Sequence, residues 1–112
     1  MILAAKLEHA IKAELPNAEF KTSNITVNGS KRGCSGFIKT GDVIVYVCTE
    51  RAAPYMGLLY RYARSMSDYK GMRNRFNQPN KDEKTFESDY LKLVIAALKD
   101  KTGYQSELSR RQ

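Results

Sequence analysis

Two cysteines, one histidine and twelve carboxylates are the groups with which this chain could do covalent or metal chemistry, and their spacing supports neither. Cys34 and Cys48 do not form a Cys-x-x-Cys pair, and His9 has no ligating neighbour at a metal-site spacing. Gly33-Cys34-Ser35-Gly36 lacks the glycine spacing of a nucleophile elbow, and a Cys or Ser without a base in reach is inert. Asp42 and Glu50 stand at the two ends of an apolar strand segment, about 25 Å apart at roughly 3.3 Å per residue, too far to share one ion. Phosphate-loop and dinucleotide glycine patterns are absent, so no cofactor is expected and the chain reads as non-catalytic.

One stretch does carry chemistry of another kind. Arg51 to Phe76 (RAAPYMGLLYRYARSMSDYKGMRNRF) holds six bases against the single acid Asp68, together with five of the eleven aromatic residues. Five of those six bases are arginine, whereas lysine dominates elsewhere. Arginine's planar fork grips phosphate or carboxylate bidentately and stacks on rings. Basic side chains interleaved with rings suit a surface that meets phosphates and bases together. The candidate binding residues are Tyr60, Arg61, Arg64, Tyr69, Lys70, Arg73 and Arg75, extended by Lys31 and Arg32. The net charge of +7 is concentrated here, since residues 51–80 alone contribute +5. A localised excess of this kind attracts nucleic acid, DNA or RNA, or an acidic protein surface.

The elements that position these residues are read from periodicity. Leu3, Leu7, Ile11 and Leu15 recur at helical spacing, and Pro16 stops the helix. Phe20–Val27 and Ser30–Lys39 flank Asn28-Gly29, a strong signal for a tight hairpin, and Gly33 and Gly36 mark a weakened or bulged strand. Thr40-Gly41-Asp42 turns the chain into Val43–Thr49 (VIVYVCT), apolar on both faces and therefore central. A three-residue loop there pairs Lys39 with Val43 and sets Cys34 opposite Cys48, as reduced core thiols in a chain without secretory features.

From Pro54 to Gly71 the pattern predicts a helix with Tyr55, Leu58, Leu59, Tyr62 and Met66 inward and Arg61, Arg64 and Asp68 outward. Residues 71–80 read as a basic surface loop. Asn80 and Glu83 suggest a capping box before a last helix with Phe86, Tyr90, Leu93, Val94, Ala97 and Leu98 on one face, closing near Gly103.

The expected architecture is thus α+β, one domain over residues 1–103: a helix, a three-stranded antiparallel meander and two C-terminal helices in a two-layer sandwich, followed by a frayed polar tail at 104–112. The order helix, three strands, helix is similar to that of the double-stranded RNA-binding domain. That likeness is one of topology, because Thr49 to Pro54 reads TERAAP where the family has a Gly- and Lys-rich segment, so it implies no binding residues here. The longest apolar run is too short to span a bilayer, and a cytoplasmic protein is expected.

Two functions fit. The first is a small nucleic-acid-binding protein. The second is a protein-binding inhibitor or adaptor, of the kind found in phages and mobile elements, because arginine and tyrosine also dominate protein-interface hot spots.

Overall fold

A computed structural model describes residues 1–49, 57–69 and 87–110. The elements among them are α1 (Ala4–Glu14), β1 (Glu19–Val27), β2 (Ser30–Thr40), β3 (Val43–Thr49), β4 (Leu58–Tyr62), α2 (Glu87–Lys99) and α3 (Lys101–Arg110). The four strands form one antiparallel sheet in the order β1-β2-β3-β4. The expectation of an α+β domain holds at that level, with four strands instead of three.

Two tight hairpins fix the register. Asn28 (φ 51°) and Gly29 (φ 79°) both take the positive φ that a two-residue loop of this hand demands. In the second hairpin Gly41 (φ 57°) supplies the same freedom, and Thr40 pairs with Val43. The expected loop was one residue longer. Because side chains alternate across a sheet, that single step exchanges the faces of every residue on one strand relative to its neighbour. Cys34 therefore meets Thr49, whose hydroxyl accepts from the Cys34 N–H at 2.9 Å and lies 3.1 Å from the Cys34 carbonyl. Cys48 pairs with Ser35 on the opposite face, so the two free thiols are not cross-strand partners. The register also shifts between Ile25 and Thr26, which places a bulge opposite them at Arg32 and Gly33.

One face of the sheet carries a row running Phe20, Ile38, Val45, Tyr62 across the four strands. α1 and α2 pack on this side, adding Leu7 and Ile11 from the first and Tyr90, Leu91, Val94, Ile95 and Leu98 from the second. Polar links hold the layers in register. The Asn24 carboxamide accepts from Ala4 N–H at 2.8 Å, Thr22 donates to Glu8 at 3.0 Å, and Thr40 donates to the Leu98 carbonyl at 3.0 Å. Lys6 of α1 ion-pairs with Glu87 of α2, and that pairing is the main cause holding the Glu87 carboxyl below its ordinary range.

The segment expected as a helix from Pro54 is, where described, the strand β4 followed by a turn at 63–69. Leu58-Leu59-Tyr60-Arg61-Tyr62 satisfies both a helical and an alternating pattern. β3 settles the choice, because its ladder from Thr49–Leu58 to Val45–Tyr62 uses backbone groups that a helix would have kept to itself. The topological likeness to the double-stranded RNA-binding domain ends with this fourth strand. The expected capping box at Asn80 and Glu83 lies outside the described residues. The last helix is divided, with α2 ending at Lys99 and Asp100 capping α3 by accepting from Gly103 N–H at 2.9 Å. Residues 104–110, expected as frayed tail, belong to α3, and Tyr104 is buried.

Two phenols stitch β4 to the helices. Tyr62 donates to the Ala97 carbonyl at 3.1 Å, Tyr104 donates to the Ala63 carbonyl at 2.8 Å, and their rings meet edge to face at 5.3 Å. Burial, then Asp100 and other acidic neighbours, pushes Tyr62 up to about 12, and burial also raises Tyr104 and Tyr60. Their folded forms thus hold protons that the unfolded chain releases near the ordinary value of 10.0. The stabilisation from these groups is complete below pH 10 and is lost as pH climbs through the folded values toward about 12. Urea melts at increasing pH are expected to show falling stability over that interval, with a smaller fall in Tyr62→Phe.

Candidate functional site

The opposite face of the sheet is where the predicted binding residues meet others that sequence patterns did not single out. A second row crosses all four strands: Lys21 pairs with Phe37, Phe37 with Tyr46, and Tyr46 with Arg61. Two cations thus bracket two rings. Phe37 and Tyr46 lie 4.9 Å apart between centroids, and the Arg61 guanidinium carbon sits 4.6 Å from the Tyr46 ring centre. Phe37 is fully buried and Arg61 is 1% exposed.

Among the described residues, the turn after β4 covers this row. Asp68 closes the turn by accepting from Arg64 N–H at 3.0 Å, and Tyr69 N–H donates to the Ser67 carbonyl at 2.9 Å. The turn is then tied down from both ends of the row. Arg61 donates through its guanidinium to the Asp68 carbonyl at 2.9 Å, and the Lys21 ammonium donates to the Met66 carbonyl at 3.1 Å. Tyr69 is thereby set edge-on to Phe37 at 5.0 Å and to Tyr46 at 6.1 Å. Lys21 Nζ lies 6.0 Å from the Phe37 centroid and 5.9 Å from that of Tyr69, within cation–π range. Burial, followed by the nearby Cys48 thiol, raises the Tyr46 phenol above its ordinary value, so at neutral pH it remains a protonated hydroxyl.

The row keeps one ring available: Tyr69 remains 55% exposed, while of its two ring contacts Phe37 is buried and Tyr46 half-buried. A shallow cleft of about 300 Å³ opens beside it and is lined by Glu8, Lys21, Thr22, Ser23, Ser35 and Tyr69 among others. Among the described residues no three His, Cys, Asp or Glu side chains come together as a metal cluster, and no helix is long and apolar enough to cross a membrane.

Of the residues expected to bind, Tyr69 and Arg64 are exposed on or beside this face. Arg61 is not a surface group, because its side chain is spent on Tyr46 and the Asp68 carbonyl. Tyr60 points to the helix side, half-buried against the core. Lys31 and Arg32 are exposed, but Lys31 stands six residues along β2 from Phe37, about 20 Å away at roughly 3.3 Å per residue. They form a separate basic tip instead of widening the Tyr69 surface. Lys70, Arg73 and Arg75 lie outside the described residues. Missed by the sequence reading were Lys21, Phe37 and Tyr46, which line up only with the one-residue bulge at Arg32 in the first hairpin and a two-residue loop in the second.

Comparison with family models, with curated proteins and with solved structures yields no match to this chain.

The different placements of two neighbouring arginines lead to a direct test. Arg61→Ala removes a buried side chain stacked on Tyr46 and strands the Asp68 carbonyl, so it is expected to cost about 3 kcal/mol of stability. Arg61→Lys restores the charge without the planar stack and is expected to recover only part of the loss. Arg64→Ala, at an exposed position, is expected to stay within about 0.5 kcal/mol of the parent. Chemical-denaturation midpoints measure all three.

Proposed function

We propose that this chain is a small, non-catalytic nucleic-acid-binding protein whose contact surface is built around Tyr69 and the basic residues near it. The observation that carries this reading is the exposed Tyr69 ring, held edge-on over the buried Phe37 and the half-buried Tyr46 with the Lys21 ammonium beside it. An aromatic ring presented next to fixed positive charge offers a base its face and a phosphate its counter-ion.

Arg64 extends this surface, and Lys70, Arg73 and Arg75, next in the chain, carry the same sign. Arg61 supports the surface from beneath without touching the ligand. Lys31 and Arg32 offer a second phosphate contact at the hairpin tip, which suits a ligand with a repeating backbone better than a small anion.

The test is salt-dependent binding. Affinity for labelled DNA or RNA is expected to fall linearly with log salt, with a slope of about −3 or steeper if four or more phosphates are neutralised. Changing Arg64, Arg73 and Arg75 together to Ala is expected to make that slope shallower by about 2 while leaving the melting curve in place. No measurable binding of single- or double-stranded DNA or RNA at about 50 mM salt would overturn the proposal. A partner retained from lysate after nuclease treatment would then favour the adaptor reading.

A further inference from the structure

The sheet face turned away from the helices has a basic group at each end of β1 and β2 and a strip of another character between. At one end stands Tyr69, with the Lys21 ammonium 5.9 Å from its ring centre. At the other, the hairpin tip carries Lys31 and Arg32, both exposed, and Arg32 shares with Gly33 the bulge opposite Ile25. Between them the register sets Ser23 against Ser35 and Ile25 against Gly33, on the side that carries Lys21 and Phe37. Alternation continues this side along β1 to Val27, an apolar side chain left 45% exposed.

The strip itself carries no charge. Along the four strands, the acid that alternation places on this side is Glu19, opposite Lys39 and at the end away from the hairpin. Glu8 belongs to the helix side, where it accepts from the Thr22 hydroxyl. We infer that the strip is a track for single-stranded nucleic acid, with one strand running from a base stacked at Tyr69, past Ser23 and Ile25, to phosphate contacts at Arg32 and Lys31. The inference rests on the nucleic-acid-binding reading above and adds to it the strandedness of the ligand, its path and its length.

Stacking on Tyr69 requires a base with an uncovered face, and inside a duplex neighbouring pairs take both faces. The Lys21 ammonium is anchored by one hydrogen bond to the Met66 carbonyl, which leaves two protons for a phosphate. Beyond it, serine hydroxyls and the Ile25 and Val27 side chains suit sugars and base faces and select no one base. From Lys21 to Val27 is six residues of β1, about 20 Å at roughly 3.3 Å per residue. A strand stacked at roughly 3.4 Å per nucleotide covers that distance with about six nucleotides, and an extended strand with fewer.

The experiment is fluorescence anisotropy of the full chain at about 50 mM salt and above, with labelled oligo(dT) of about 10 and about 3 nucleotides and a duplex of about 10 base pairs. The longer strand is expected to bind at least about 10-fold more tightly than the shorter one, which cannot reach both ends, and than the duplex. The double variant Lys31→Ala, Arg32→Ala is expected to weaken the longer strand and make its salt slope shallower by about 0.7 to 1.4, at roughly 0.7 per phosphate of a single strand. Tyr69→Ala is expected to weaken it about 5- to 150-fold with the slope nearly unchanged, because a lost stack releases no counter-ions. Circular dichroism melts accompany each variant. Should Tyr69→Ala fail to fold, strand length and the slope of the Lys31, Arg32 variant decide the matter. Equal affinity for the two lengths, a duplex bound as tightly as the longer strand, or unchanged binding by either folded variant overturns the track while leaving nucleic-acid binding in place. Absence of binding to every strand and to the duplex overturns both.

Discussion

The structure depends on how a buried guanidinium is accommodated on the sheet face turned away from the helices. Arg61 is 1% exposed, and a charge removed from water is tolerated only where other groups replace its hydration. The Tyr46 ring provides a π-face at 4.6 Å, and the Asp68 carbonyl accepts from the fork at 2.9 Å. That carbonyl belongs to the turn following β4, so satisfying the arginine requires the turn to fold back over the sheet. Asp68 serves twice, because its carboxylate also closes the turn on the Arg64 N–H.

From this follows the position of Tyr69, the next residue along. With Asp68 tethered at one end and the Met66 carbonyl held by Lys21, the phenol has little choice but to lie over Phe37 and Tyr46. Ordering a side chain of this kind before a ligand arrives removes part of the entropic cost of binding. The strong interactions on this face are therefore those that hold the ring, and the proposed binding surface itself is small. Stability is assigned to Arg61, Phe37 and Tyr46, and under the proposed function contact falls to Tyr69, Lys21 and Arg64. The helix side is a separate matter, where apolar burial and the Tyr62 and Tyr104 phenols join β4 to α2 and α3.

Much of the architecture can be read directly from the chain. Leu7 and Ile11 report α1, Asn28-Gly29 reports the first hairpin, and the apolar run from Val43 reports the central strand. Three things were hidden, each for a physical reason. Leu58 to Tyr62 is compatible with two periodicities, and only pairing with β3 selects the strand. The loop at Gly41-Asp42 is one residue shorter than expected, and a one-residue slip conceals the row from Lys21 to Arg61, because it pairs Phe37 with Val45 instead of Tyr46. Lys101 to Arg110 is too polar to announce a helix, yet Asp100 caps it and Tyr104 anchors it. The basic and aromatic content of residues 51–76 was legible as composition. Which of its members face solvent was not, since burial of Arg61 is decided by Tyr46, on another strand.

The central claim is that the held Tyr69 ring, with Lys21 beside it, is where this protein meets its ligand. Backbone amide chemical shifts followed during titration with a short single-stranded oligonucleotide address it most directly. The account predicts the largest changes at Lys21, Ser23, Ser35 and Tyr69, with α2 nearly unmoved. Changes centred on α2 or α3, with Lys21 and Tyr69 silent, would contradict it.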